Sequence, residues 1–161
     1  MKIALSPCPN DTFCLSPWIE GLITHPPIEP HFFDIETLNR LALEEPDAFP
    51  IIKVSSALIP QVRNTHRLLA SGMAFSTTCG PLLVGLKKIP IHALSSVPIA
   101  IPGKHTSSFI ALQRLLPKAS FIEMPYHQIV PSLLQKTCAA GVLIHEARFH
   151  IHTKGLVEIL G

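Results

Sequence analysis

Apolar residues recur along the chain in two alternating rhythms, short unbroken runs and stretches at helical spacing, and each rhythm assigns an element. Residues 2–5 (KIAL) are a first buried strand. Asn10 or Asp11 can cap a helix over residues 12–22, whose apolar positions include Phe13, Trp18 and Leu22; a short side-chain oxygen there would satisfy N–H groups that a first turn leaves unpaired. Residues 28–34 (IEPHFFD) read as a second strand, and residues 35–43 as a helix with Leu38, Leu41 and Ala42 on one face. A third strand covers residues 51–54, and Ser55 and Ser56 lead into a helix over residues 57–62. The turn Cys79–Gly80–Pro81 introduces a further apolar strand at residues 82–86.

The pattern then starts again. Residues 97–101 (VPIAI) are a strand despite Pro98, and the loop Pro102–Gly103–Lys104–His105 follows. Thr106, Ser107 and Ser108 open an amphipathic helix over residues 109–116; a strand at 120–124, a helix at 129–136 and a strand at 141–145 (GVLIH) complete the series. Strands alternating with helices predict an α/β chain with a mainly parallel sheet in each half. The restart predicts two lobes, residues 1–95 and residues 96–161, with a cleft between them.

Composition narrows the class of protein. With 47% hydrophobic and 15% charged residues the chain can bury a core, unlike a disordered segment. The sixteen prolines fall between periodic stretches, as punctuation. A formal net charge of +2, with no block of consecutive Lys or Arg, gives no basis for nucleic-acid binding. The four cysteines are scattered, at neither a CxxC nor a zinc-ribbon spacing, and read as reduced thiols. No apolar run reaches bilayer length, and the N-terminal run is too short for a secretory core. These features lead us to expect a cytoplasmic protein that does not enter a membrane.

In open parallel sheets, ligands bind beyond the carboxyl ends of the strands. The residues that follow the expected strands are Ser6 through Asp11, then Asp34, then Ser55 and Ser56, then His105 through Ser108, and finally His145 and Glu146. A helix beginning near Ser107 would direct unpaired N–H groups and its positive end at an anion. The same serines also suit an ordinary N-cap, and both readings stand; Val54–Ser55–Ser56 poses the same choice. His145 closes an apolar strand, where an imidazole can move a proton at neutral pH or be a hydrogen-bonded surface residue. Glu146 would alternate to the opposite face and pair with Arg148. His150 and His152 would share a face if extended, but neither an acidic nor a Cys partner is near, and zinc takes three or four ligands. We expect no metal site. Glu44, Glu45 and Asp47 read as a solvated helix end.

Several of these residues lie in longer motifs. SPCPNDTF (6–13), DIETLNRLAL (34–43), KVS (53–55), GPLLV (80–84), IPGKHTSS (101–108) and AGVLIHEARF (140–149) resemble 1,4-dihydroxy-6-naphthoate synthase, a late enzyme of the futalosine route to menaquinone. The resemblance implies a periplasmic-binding-protein-like fold of two α/β lobes. It implies a lyase that converts cyclic dehypoxanthinyl futalosine to 1,4-dihydroxy-6-naphthoate without a metal or redox cofactor. Carried over by motif, His145 would be the proton acceptor; Lys53, Val54, Ser55, Ser107 and Ser108 would contact the substrate, and Asn10 and Asp11 would line its site.

Members of that family are much longer, whereas this chain stops at GLVEILG. The C-terminal part of the second lobe is therefore expected to be missing, and uncovered apolar faces would favour a homo-oligomer or a partner that supplies the segment. Residues 71–80 (SGMAFSTTCG) carry fewer glycines than the family pattern, and KTCA (136–139) stands where a Gly-acidic turn is usual. Ser108 replaces a small apolar residue. Two other functions suit the same fold: a non-catalytic carboxylate-binding protein, and a chorismate dehydratase of the same pathway, against which the SPCPNDTF opening speaks.

Overall fold

Tetrads of consecutive apolar residues cannot leave one face in water, so they fold as strands covered on both sides. The computed structural model describes residues 1–161 except His25, Thr77 and Thr78, and describes His145 by its backbone alone. The chain forms two compact units, Met1–Phe75 and Ser76–Gly161.

In the first unit, β1 (Lys2–Leu5) buries Ile3, Ala4 and Leu5 and lies at the centre of a three-stranded sheet. Both neighbours, β2 (Glu29–Phe32) and β3 (Ile51–Ile52), run parallel to it, with Ile3 opposite Pro30 and Ile51. The strands are joined by α1 (Pro9–Ile19) and α2 (Ile35–Glu44). The Asp34 side chain caps α2 by accepting from the Glu36 N–H at 2.9 Å. A 3₁₀ turn at Ser56–Leu58 then runs into the short helix α3 (Ile59–Val62). Ala42, Leu58 and Val62 form the core, with Leu43, Ile52 and Val54 packed against them.

The second unit holds β4 (Leu82–Gly85), β5 (Pro98–Ile101), α4 (Ser107–Leu115), β6 (Ser120–Glu123), α5 (Tyr126–Leu134), β7 (Ala140–Leu143) and β8 (Val157–Leu160). Its five-stranded sheet has the order β6-β5-β7-β4-β8. β5 is parallel to β6 and β7, while β4 is antiparallel to β7 and β8. Side chains alternate across a strand, so each tetrad feeds two cores. Leu82, Val84, Ala100 and Leu143 join Ile129 and Leu133 of α5 on one face. Leu83, Ile99, Ile101 and Val142 join Phe109 and Leu112 of α4 on the other. At Gly141 a Cβ would lie 2.5 Å from Ile129 Cγ2, so α5 rests on the bare backbone of β7.

Expectation and structure part at several points. The order of apolar runs places the strand near residue 82 in the first half, yet β4 is hydrogen-bonded into the second sheet. The units accordingly divide after Phe75 rather than at residue 95, because an apolar tetrad carries no mark of its partner strand. Helix α1 starts at Pro9, with Cys8 as a cap that makes no side-chain bond, so neither Asn10 nor Asp11 caps it. β7 ends at Leu143, and His145 opens a 3₁₀ turn (His145–His150). His150 closes that turn and His152 starts another, so the two do not form an extended pair. Among the described residues, no helix is long and apolar enough to cross a membrane.

Candidate functional site

The parallel strands of the first sheet end together, so Ser6, Asp34 and Lys53 follow them at one edge. Asp11, in the first turn of α1, is only 5% exposed. Burying a carboxylate is costly unless it is paired and hydrogen-bonded, and both of its oxygens are engaged. Oδ2 accepts from the Ser6 N–H at 3.2 Å, and Oδ1 accepts from the Lys53 ammonium at 2.8 Å. Lys53 Nζ also donates to the Gly72 carbonyl at 3.1 Å. An ammonium has three hydrogens, so one is left for a ligand, and the side chain keeps 24% exposure. Ser6 Oγ accepts from the Cys8 N–H at 3.3 Å, tying the loop back on itself.

A second fastening lies beside the first. Asn39 of α2 is completely buried. Its Oδ1 accepts from the Ser55 N–H at 2.8 Å, and its Nδ2 donates to Ser55 Oγ at 3.0 Å. Neither Asn39 nor Gly72 was among the candidates. The signal for Asn39 was there: a polar residue between Leu38 and Ala42 on a stripe that otherwise faces the core. Val54 packs against Ala42, Leu58 and Val62, which leaves its backbone as the part that can face a ligand. Asn10 is exposed in the first turn of α1.

In the second unit the loop after β5 leads to α4, and Thr106 caps that helix as its hydroxyl accepts from the Phe109 N–H at 3.3 Å. The same hydroxyl lies 2.7 Å from the Gly103 carbonyl, which can only accept, so its hydrogen points there. Ser108 Oγ, 3.1 Å away, must then donate to Thr106, leaving only lone pairs for anything else. Ser108 is buried and borders an apolar groove of about 190 Å³ between Leu82, Leu83, Leu112, Val142 and Leu160. Ser107 is exposed on the first turn of α4. Lys104 N–H donates to Glu123 Oε2 at 3.1 Å, which fixes the loop against the end of β6.

The backbone of His145 begins the turn that follows β7; its side chain lies outside the described residues. Arg148, in the same turn, donates to the Gly80 carbonyl rather than to Glu146. That bond fastens the turn to the segment that enters β4.

Parallel α/β sheets whose carboxyl edges gather such groups make this a periplasmic-binding-protein-like fold. It matches the arginine-bound Gly52Ala mutant of ArgBP from T. maritima at a TM-score of 0.64 and 17% identity, over 100% of this chain and 81% of that one. The chain belongs to the menaquinone biosynthesis family, whose model matches residues 1–161. It is 38% identical to 1,4-dihydroxy-6-naphthoate synthase of Thermus thermophilus, over 99% of this chain and 58% of the relative. The corresponding synthase of Streptomyces coelicolor is 31% identical over 99% of this chain and 57% of its own length. The crystal structure of protein AF1704 from Archaeoglobus fulgidus matches at a TM-score of 0.90 and 28% identity, over 99% of this chain and 59% of that one. The chain thus spans somewhat more than half the length of the curated relatives it matches.

Proposed function

We propose that this chain acts in the conversion of cyclic dehypoxanthinyl futalosine to 1,4-dihydroxy-6-naphthoate, a carbon–carbon lyase step of menaquinone biosynthesis. The observation that carries the reading is the match to two synthases of that name along 99% of the chain. The geometry of the first unit agrees with it. A buried carboxylate holds a partly exposed ammonium at a sheet edge, and a serine hydroxyl is fixed nearby in sequence, which suits a ligand rich in acceptor oxygens.

In this reading His145 removes a proton next to a carbonyl, and the electron pair moves onto the carbonyl oxygen. Fixed donors aimed at a developing oxyanion stabilise it without reorganising. Lys53 supplies charge, the Ser55 hydroxyl and the first turn of α4 at Ser107 supply hydrogen bonds, and Ser108 offers acceptor lone pairs. Val54 contributes backbone contact, and Asn10 and Asp11 border the substrate, with Asp11 acting through Lys53. Collapse of the enolate breaks the carbon–carbon bond to the sugar-derived fragment, whose electron pair leaves with the fragment and takes the proton back from the His145 imidazolium, and formation of the naphthalene ring drives the step.

The test is direct. Incubating the 161-residue chain with cyclic dehypoxanthinyl futalosine should produce the absorbance of the naphthoate. Binding of the substrate with no product would contradict the enzymatic reading in favour of a carboxylate-binding protein.

A further inference from the structure

A hydroxyl can donate or accept, and which of these it offers a ligand depends on what already occupies it. The Asn39–Ser55 clasp biases that choice for Ser55. The backbone N–H of Ser55 can only donate, so the Asn39 atom 2.8 Å from it must be the carbonyl oxygen. This fixes the amide orientation, which distances to a side chain alone would leave open. The other end of the amide is therefore NH₂, and it donates to Ser55 Oγ at 3.0 Å. Ser55 Oγ already accepts there on one of its two lone pairs, and no described residue receives its hydrogen. The serine is half-buried, while Asn39 is wholly buried and held within the unit.

We infer that Asn39 is a positioning residue that fills one lone pair of the Ser55 hydroxyl and turns its hydrogen toward the ligand, favouring an acceptor group such as a carboxylate or enolate oxygen. The inference rests on the proposed function, in which Ser55 touches the substrate. Ser55 makes no side-chain cap to the turn it precedes, so the orientation comes from α2 rather than from its own helix.

The experiment is a double-mutant cycle on the 161-residue chain, using the dissociation constant of 1,4-dihydroxy-6-naphthoate as the readout. S55A should weaken binding roughly tenfold, the effect of one lost hydrogen bond to a charged oxygen. N39D should weaken it at least as much. A carboxylate at that position still accepts from the Ser55 N–H, but its second oxygen must also accept, which pulls the hydroxyl hydrogen inward. In the N39D background, S55A should then cost less than about twofold.

A site that had merely collapsed would show the same lack of additivity, so pH provides the separating readout. A buried carboxyl titrates above its usual range. At about pH 5 the N39D carboxyl should regain a proton and donate to Ser55 again. Its affinity, taken as a ratio to the native chain at each pH, should rise toward the native value. If N39D fails to melt cooperatively, N39A takes its place in the cycle, with S55A again expected to cost less than it does in the native chain.

Additive losses would overturn the inference alone, as would an N39D deficit that stays constant with pH in a folded protein. A native chain that neither binds the naphthoate nor converts the substrate would overturn the proposed function and the inference together.

Discussion

Ser55 and Thr106 occupy matching places, each just before a helical turn that follows a strand of a parallel pair, yet their hydroxyls are used differently. Thr106 turns back on its own helix, accepting from the Phe109 N–H and donating to the Gly103 carbonyl. Ser108 then donates to Thr106, so this corner of the second unit satisfies itself. Ser55 makes no such cap. It is gripped by Asn39 from a different helix, and the grip fills one of its lone pairs and leaves its hydrogen. The Asp11–Lys53 pair follows the same logic, because it holds an ammonium without using all of its hydrogens. A hydroxyl after a strand is therefore not one kind of feature. Held by its own helix it stabilises the fold, and held from outside it can face a ligand.

Four substitutions would break or sharpen this contrast. The largest effect should come from His145→Ala, which belongs to neither fastening. If His145 is the general base, turnover should fall by roughly two to four orders of magnitude, and assays of naphthoate formation that show near-native rates would remove it from that role. Gly141→Ala should come next, as a packing change in the second unit with no polar component. Its Cβ would meet Ile129 Cγ2 at 2.5 Å and Leu133 Cδ1 at 3.4 Å, and overpacking of this kind costs about 2 kcal/mol in urea unfolding.

Asp11→Ala tests the polar edge of the first unit. It strands the Lys53 ammonium and the Ser6 N–H. With the lysine partly in water, the loss of stability should be about 1–2 kcal/mol rather than the value for a fully buried pair, and ligand affinity should fall with it. Thr106→Ala should cost about 1 kcal/mol, as the loss of a helix cap. If the two edges differ as described, the Asp11 change alters affinity as well as stability, whereas the Thr106 change is read mainly in the denaturation midpoint.

Much of this was legible from local pattern. The amphipathic stretch from residue 35 became α2, ending at Glu44. The rule that parallel strands present their carboxyl ends to ligands singled out Asp11 and Ser55, whereas Lys53 enters only through the resemblance of KVS to the synthase motif. Several of the misreadings concern partners distant in sequence. β4 is a tetrad like the others, and only its antiparallel pairing with β7 and β8 assigns it to the second unit. β8 (VEIL) escaped for a local reason, because Glu158 interrupts its apolar run. Asp11 looked like a helix cap because helix starts favour such residues, but a lysine 42 positions away takes its carboxylate instead. Asn39 was missed for the same reason, since its partner is 16 residues on.

We propose that the edge of the first sheet formed by Ser6–Asp11 and Lys53–Ser55 binds the ligand with its donors turned outward. Amide hydrogen exchange of the native chain, with and without saturating 1,4-dihydroxy-6-naphthoate, tests it most directly, because exchange reports local opening residue by residue. Slower exchange should centre on residues 6–11 and 53–55, including the Ser55 N–H held by Asn39. A ligand that binds yet leaves these amides unchanged, with protection elsewhere, would contradict the account.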